Sequence, residues 1–325
     1  MAVPRRFVRI PRQKAAAPPR RGAPRAIAAA LRLASHARYL ALARARGGPG
    51  LGMRMRAASM GIRLLLARGL QDLLAWELLL FPMDSVRYFE LDFAWSAAAP
   101  ERGPLKYLDV SSPRLFPLAF LRHRARATAD LLNPDGRDLE LTRTLAQALH
   151  LSARCSFVPQ TIDAAPLRPE HYDLVTSISV LEHISAPAGA AAVGRLWECL
   201  SPGGTLIVTV PCASQAHDEY LDLDEYGLQR AGADGFYFGQ HVFDERSLED
   251  GFFRVCGAPR RIEVFGEIRP GTFDEDRARK NSGLALLERE PLAMATEYRR
   301  FGSVSELPGV GVVGMAFRKA SRTGS

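Results

Sequence analysis

Acidic residues are missing from the first fifth of this 325-residue chain: none precedes Asp72, while residues 1–70 hold 15 Arg and one Lys. The remainder carries 27 bases against 35 acids, so the formal net charge of +8 belongs to the amino-terminal arm and the body is acidic. A nucleic-acid enzyme places its positive charge on the domain that meets the phosphates, which disfavours nucleic acid as a partner. Long apolar runs are missing too. Leu73–Phe81 is broken by Glu77, well short of the ~18 residues of a membrane span, and Ala26–Leu31 ends at Arg32 before any secretory h-region can form. Cysteine is scarce, with Cys155, Cys199, Cys212 and Cys256 far apart and no CxxC pair. That argues against a metal site or a disulfide framework and for a reducing, cytoplasmic compartment. What is present, 47% hydrophobic residues, suffices for a sizeable core.

Residues 1–56 read as a basic Ala/Arg/Pro-rich arm with little to bury, largely disordered. Residues 26–46 can be helical, but Leu31 and Leu42 fall on one side of the wheel and Leu33 and Leu40 on the other, so no apolar stripe forms. Gly47-Gly48-Pro49-Gly50 then breaks the chain, and residues 1–50 read as dispensable. Residues 57–103 read as a helical and aromatic cover. Ile62, Leu65, Leu66, Leu70, Leu73, Leu74 and Leu78 recur at three- and four-residue steps, predicting one packed helix that Pro82 ends. The aromatic run Arg87–Trp95 predicts packing against the main domain.

From residue 104 to 325 short apolar runs alternate with helical stretches. Strands are predicted at Lys106–Val110, Ala127–Leu131, Cys155–Pro159, Tyr172–Ile178 and Thr205–Val210, with Arg261–Phe265 and Val310–Phe317 closing the series. Helices are predicted at Leu115–Arg122, Leu139–Leu149 and Ala188–Cys199. Such alternation predicts a doubly wound, mostly parallel sheet covered on both faces, with ligands beyond the carboxyl ends of its strands. Acids cluster there: strand one ends in Asp109, strand two ends in Asp130, and strand three leads to Asp163. The 21-residue step from Asp109 to Asp130 matches the ~20 expected for a carboxylate that binds a nucleoside ribose.

Two stretches carry a family resemblance. Tyr172-Asp173-Leu174-Val175-Thr176-Ser177-Ile178-Ser179-Val180-Leu181-Glu182-His183-Ile184 resembles the fourth strand of class I S-adenosylmethionine-dependent methyltransferases with its V-L-E-H end. Leu200-Ser201-Pro202-Gly203-Gly204-Thr205 is similar to that family's L-x-P-G-G turn into strand five. The resemblance covers residues 105–211. It implies a seven-stranded Rossmann-like fold, an N-terminal helical extension, and S-adenosyl-L-methionine held by Asp109, Ser111, Ser112, Asp130, Leu131, Asp163 and Ser177. One departure stands out. The family's D-x-G-x-G-x-G turn is here Asp109-Val110-Ser111-Ser112-Pro113-Arg114-Leu115, without its glycines.

Residues 212–241 form an insertion rich in His217, Asp218, Tyr220, Tyr226, Phe236, Tyr237, Phe238 and His241, suited to substrate binding. Methyl transfer is an in-line displacement in which alignment matters most, and an acceptor that must lose a proton benefits from a base. His183 is the first candidate base, followed by His241 and His217. A small-molecule, glycan or glycolipid acceptor is the leading expectation, and a noncatalytic scaffold built on the same fold is the alternative.

Overall fold

The structure, a computed structural model, describes residues 5–7, 23–98, 104–185, 188–224, 231–281 and 289–321. The chain begins with β1 (Arg5–Phe7) and four helices, α1 (Ala23–Ala45), α2 (Leu51–Arg68), α3 (Leu73–Leu80) and α4 (Arg87–Ala97). The single helix expected over Ile62–Leu78 is two, because Gly69 takes φ 88° after α2 and Asp72 caps α3 by accepting from the Ala75 N–H. Much of the predicted apolar stripe is not packed: Ile62, Leu66, Leu70 and Leu73 are exposed. Helix α1 meets α11, described below, and Ala43 is wholly buried. Packed order therefore begins before residue 50, earlier than the composition suggested.

The body then alternates as expected: β2 (Leu105–Val110), α5 (Leu115–His123), β3 (Ala127–Leu132), α6 (Gly136–Ala148), β4 (Cys155–Val158), β5 (Tyr172–Ile178), α7 (Ala188–Glu198) and β6 (Leu200–Ala213). Next come β7 (His217–Leu221) and β8 (Tyr237–Val242), an antiparallel hairpin whose first strand β1 joins in parallel. This hairpin is the predicted insertion; Tyr226 lies outside the described residues. Helix α8 (Glu245–Leu248), a π-helical turn (Glu249–Phe253) and α9 (Arg254–Cys256) lead to β9 (Arg261–Glu267). The chain closes with α10 (Thr272–Asn281), α11 (Glu290–Thr296), β10 (Tyr298–Phe301) and β11 (Val310–Arg318).

The main sheet has eight strands in the order β10-β9-β11-β6-β5-β2-β3-β4. Five of them, β6-β5-β2-β3-β4, run parallel, and β11, β9 and β10 pair antiparallel beside β6. The eighth strand beyond the expected seven is β10, added at the edge against β9. Between β5 and β6 the register shifts after Tyr172↔Leu200 to Leu174↔Thr205, which accommodates Ser201–Gly204. Gly204 is needed there, since a Cβ would come within 2.9 Å of the Ser201 carbonyl and 3.0 Å of the Tyr172 carbonyl.

Each face of the sheet holds its own core. One gathers α2–α6 through Phe89, Phe116, Phe120 and Leu131, and the other gathers α7 and the π-helical turn through Leu196, Val208, Phe252 and Phe317. Helix α4 lies across the first face: Phe89 stacks on Phe265 at 4.9 Å, and the absent side chain of Gly314 leaves room for Phe93. Among the described residues no helix is long and apolar enough to cross a membrane.

Candidate active site

The topological switch point falls between β2 and β5, where the chain departs in opposite directions along the sheet. Asp109, at the end of β2, is buried there. Its Oδ1 accepts from the Tyr107 hydroxyl and from Thr176 Oγ1, each at 2.7 Å, and its Oδ2 accepts from the Ser112 N–H at 3.2 Å. Burial pushes this carboxyl up to about 6, against the opposing pull of the Tyr107, Thr176 and Ser112 hydrogen bonds. Ser112 is buried too, its Oγ accepting from the Ile178 N–H at 3.2 Å and so tying the turn to the end of β5.

Ser111 takes φ 49°, the left-handed conformation that glycine would otherwise supply. Its N–H donates to the Leu132 carbonyl at 2.8 Å and its Oγ to the same carbonyl at 3.2 Å, so the turn is held in shape without glycine. Ser179, just beyond β5, is left-handed as well, at φ 54°. Two strained serines therefore flank the switch point, a pattern typical of functional sites.

Above β5 and β6 sits Glu90 of α4, fully buried. Its Oε1 accepts from Ser179 Oγ at 2.8 Å and Thr209 Oγ1 at 3.0 Å, and its Oε2 pairs with Arg87 at 2.7 Å. Each carboxylate oxygen is thus answered, as a buried charge requires. The adjoining cavity, of about 330 Å³, is lined by Arg87, Ser179, Glu182, His183, Gln240 and Asp276 among others. Glu182 is 1% exposed, and its Oε2 has no hydrogen-bond partner. Burial raises its pKa, opposed chiefly by the neighbouring His183. The His183 ring sets Nδ1 2.6 Å from the Gly239 carbonyl, so Nδ1 carries the proton and Nε2 faces Glu182 Oε1 at 3.9 Å.

The hairpin is fastened to this rim by Glu219. Gln240 Nε2 donates to its Oε2 at 2.8 Å and Arg277 Nη2 at 3.1 Å, while His217 Nε2 stands 3.9 Å from Oε1. Burial works against ionisation, but these partners hold the carboxyl at about 2.

Of the residues singled out in sequence, Asp109, Ser111 and Ser112 come together at the switch point, and His183 lines the cavity. The others stand elsewhere. Asp130 lies two residues short of the end of β3, opposite Leu108, where its Oδ2 accepts from the Tyr172 hydroxyl at 2.6 Å. Leu131 is buried opposite Asp109. Asp163 is exposed in the turn after β4, its carboxyl held low first by the Thr161 hydroxyl. Ser177 is buried inside β5, its Oγ without a partner. His241 pairs with Asp218 at 2.7 Å on the hairpin, and His217 belongs to the Glu219 cluster. Sequence reading passed over Arg87 and Glu90; the only local signal was an acid inside an aromatic run, three residues after an arginine.

A family profile described as a methyltransferase domain matches residues 143–252, from within α6 to the π-helical turn. The matched stretch, about a third of the chain, is similar to a methyltransferase domain. Among solved structures, it is similar to the MccD protein, with 13% identity, coverage of 71% of this chain and 96% of that one, and a TM-score of 0.48. It is also similar to geranyl diphosphate C-methyltransferase from Streptomyces coelicolor A3(2) (11% identity, 72% and 77% covered, TM-score 0.47). A putative sarcosine dimethylglycine methyltransferase from Galdieria sulphuraria is similar at 14% identity, 71% and 84% covered, with a TM-score of 0.44. No curated protein matches the sequence.

Proposed function

We propose that this methyltransferase acts on a small polar acceptor, of glycan or glycolipid-headgroup type, bound in the cavity beside Glu182 and His183. The observation that carries the reading is the orphan Glu182 Oε2, wholly buried and lining the cavity. Asp276 Oδ2 and Ser85 Oγ, also on the lining, are unpartnered as well. A wall of unanswered acceptors suits a ligand rich in hydroxyl or amine donors, since a buried polar atom left unpaired is costly. The three lysine and arginine side chains on that wall are already matched: Arg87 with Glu90, Arg277 with Glu219 and Lys280 with Glu290.

The bound cofactor supplies the electrophilic methyl group. In this reading Ser111 and Ser112 meet it at the end of β2, and Asp109, held by its hydrogen bonds, fixes their turn. Glu182 accepts the proton that the acceptor's hydroxyl or amine gives up, and burial, by raising its pKa, makes it a stronger base for that task. His183, oriented by the Gly239 carbonyl, sets its Nε2 3.9 Å from Glu182 Oε1 and bounds the cavity on that side. Arg87, on the cavity wall, is held in place by its ion pair with buried Glu90. The four free cysteines support a cytoplasmic location.

The test is Glu182→Gln, assayed against a panel of hydroxyl- and amine-bearing acceptors, with calorimetric binding of S-adenosylhomocysteine alongside. Turnover should fall by ~10²–10⁴-fold, the usual worth of a general base, with cofactor affinity retained. In the wild type, activity should rise with pH through the raised carboxyl pKa, and the variant should lose that limb. Unchanged turnover in the variant would remove Glu182 from the reaction.

A further inference from the structure

Helix α2 is apolar on two sides. Met53, Ala57, Met60 and Leu64 face the core, while Met55, Ile62 and Leu66 form a second stripe, at seven- and four-residue steps, left exposed among the described residues. The stripe continues around the Gly69 turn into Leu70 and Leu73. Leu66 and Leu73 are 82% exposed and Leu70 75%, and five of the nine large apolar side chains exposed among the described residues lie on this one helical hairpin. A soluble surface rarely concentrates its exposed leucines at a protruding turn without a use for them.

The charge around the stripe narrows what covers it. Arg63 stands beside it on α2, and Arg122 of α5 is near enough for the two to repel. Neither makes an ion pair among the described residues. Asp72, at the turn, is engaged by Arg68 at 3.5 Å, which leaves Glu77 as the exposed acid of the hairpin. Upstream, the first 70 residues add no acid at all. A second copy meeting this face through its own matching face would set arginine against arginine, and the acid-free arm meets the same repulsion. A patch of exposed leucines with a cationic rim fits a surface that is apolar below and anionic above.

We infer that the α2–α3 hairpin docks the enzyme on the surface of an anionic bilayer, with Leu66, Leu70 and Leu73 entering the acyl boundary and Arg63 and Arg122 meeting headgroup phosphates or carboxylates. The inference stands independently of which acceptor occupies the cavity.

The full-length protein is sedimented with phosphatidylcholine vesicles prepared with and without phosphatidylserine. Binding is expected only with the anionic lipid and should fall by more than about tenfold in 1 M salt, where the screening length is ~3 Å. The triple variant Leu66→Ser, Leu70→Ser, Leu73→Ser should bind more than about tenfold more weakly, and Arg63→Glu should weaken binding without touching the leucines. Circular dichroism and light scattering accompany each protein. A folded triple variant that still binds like wild type would overturn the inference by assigning the contact to the arm. So would a wild type that ignores anionic vesicles, or a wild-type dimer that the triple substitution converts to monomer while vesicle binding stays absent.

Discussion

Asp109 shows how a single residue couples the fold to its site. The folded carboxyl is raised to about 6, so between the unfolded value near 4 and that point the native state holds the extra proton. Stability from this group is complete at the acid end and is lost as pH rises through about 6. Two pKa units correspond to about 3 kcal/mol. Urea unfolding across this range should show the decline in wild type and its absence in Asp109→Asn, which keeps an acceptor for Tyr107 and Thr176 but has no proton to lose. Asp109 was legible in sequence because it ends an apolar run. Glu90 was not, because its partners Ser179 and Thr209 are 89 and 119 residues away and no local pattern encodes such a pairing.

At the scale of elements, the alternating strands and helices of the body were readable, since a strand buried on both faces writes an uninterrupted apolar run into the sequence. The helices of the cover were less so. Periodicity reports that a helix has an apolar side, but α2 has two, and only packing decides which is covered. Helix α4 depends on a gap in β11: a Cβ on Gly314 would lie 2.5–2.8 Å from three atoms of the Phe93 ring. Phe93 is buried and cannot swing clear. Gly314→Ala should therefore destabilise the protein by about 1–3 kcal/mol through overpacking, read as a lowered midpoint in urea. Because α4 also carries Arg87 and Glu90, the same variant should weaken acceptor binding more than cofactor binding.

For the whole molecule, the stretch from His36 to Arg56 packs on the body. His36 accepts from buried Arg54 at 2.6 Å and lies edge-on to Phe81, and Ala43 packs beneath Gly48, whose own neighbour is Ala295. The Gly47–Gly50 break, which in sequence suggested a boundary, brings Gly50 against the Tyr88 backbone, where a Cβ would stand 2.4 Å from its carbonyl oxygen. Deleting residues 1–50 should lower the melting temperature by several degrees, since Arg54 loses its His36 partner, keeping only the Leu79 and Leu80 carbonyls, and the α11 face is uncovered. A thermal scan comparing the truncated and full chains checks this. An unchanged midpoint would return the region to the status of a tail.

The position of α4 also bears on how the chain reaches this state during synthesis. Phe89 and Phe93 leave the ribosome early, yet the strands they rest on, β9 and β11, are among the last elements made. Contacts separated by some two hundred residues close late, after most of the loop entropy has been lost. Until then the cover presents its aromatic side to the cell, an aggregation hazard of the kind chaperones attend to. The nascent protein is thus most vulnerable while β11 is still unmade, and a stop codon shortly before Val310 would leave a nearly full-length chain without the strand on which Phe93 rests.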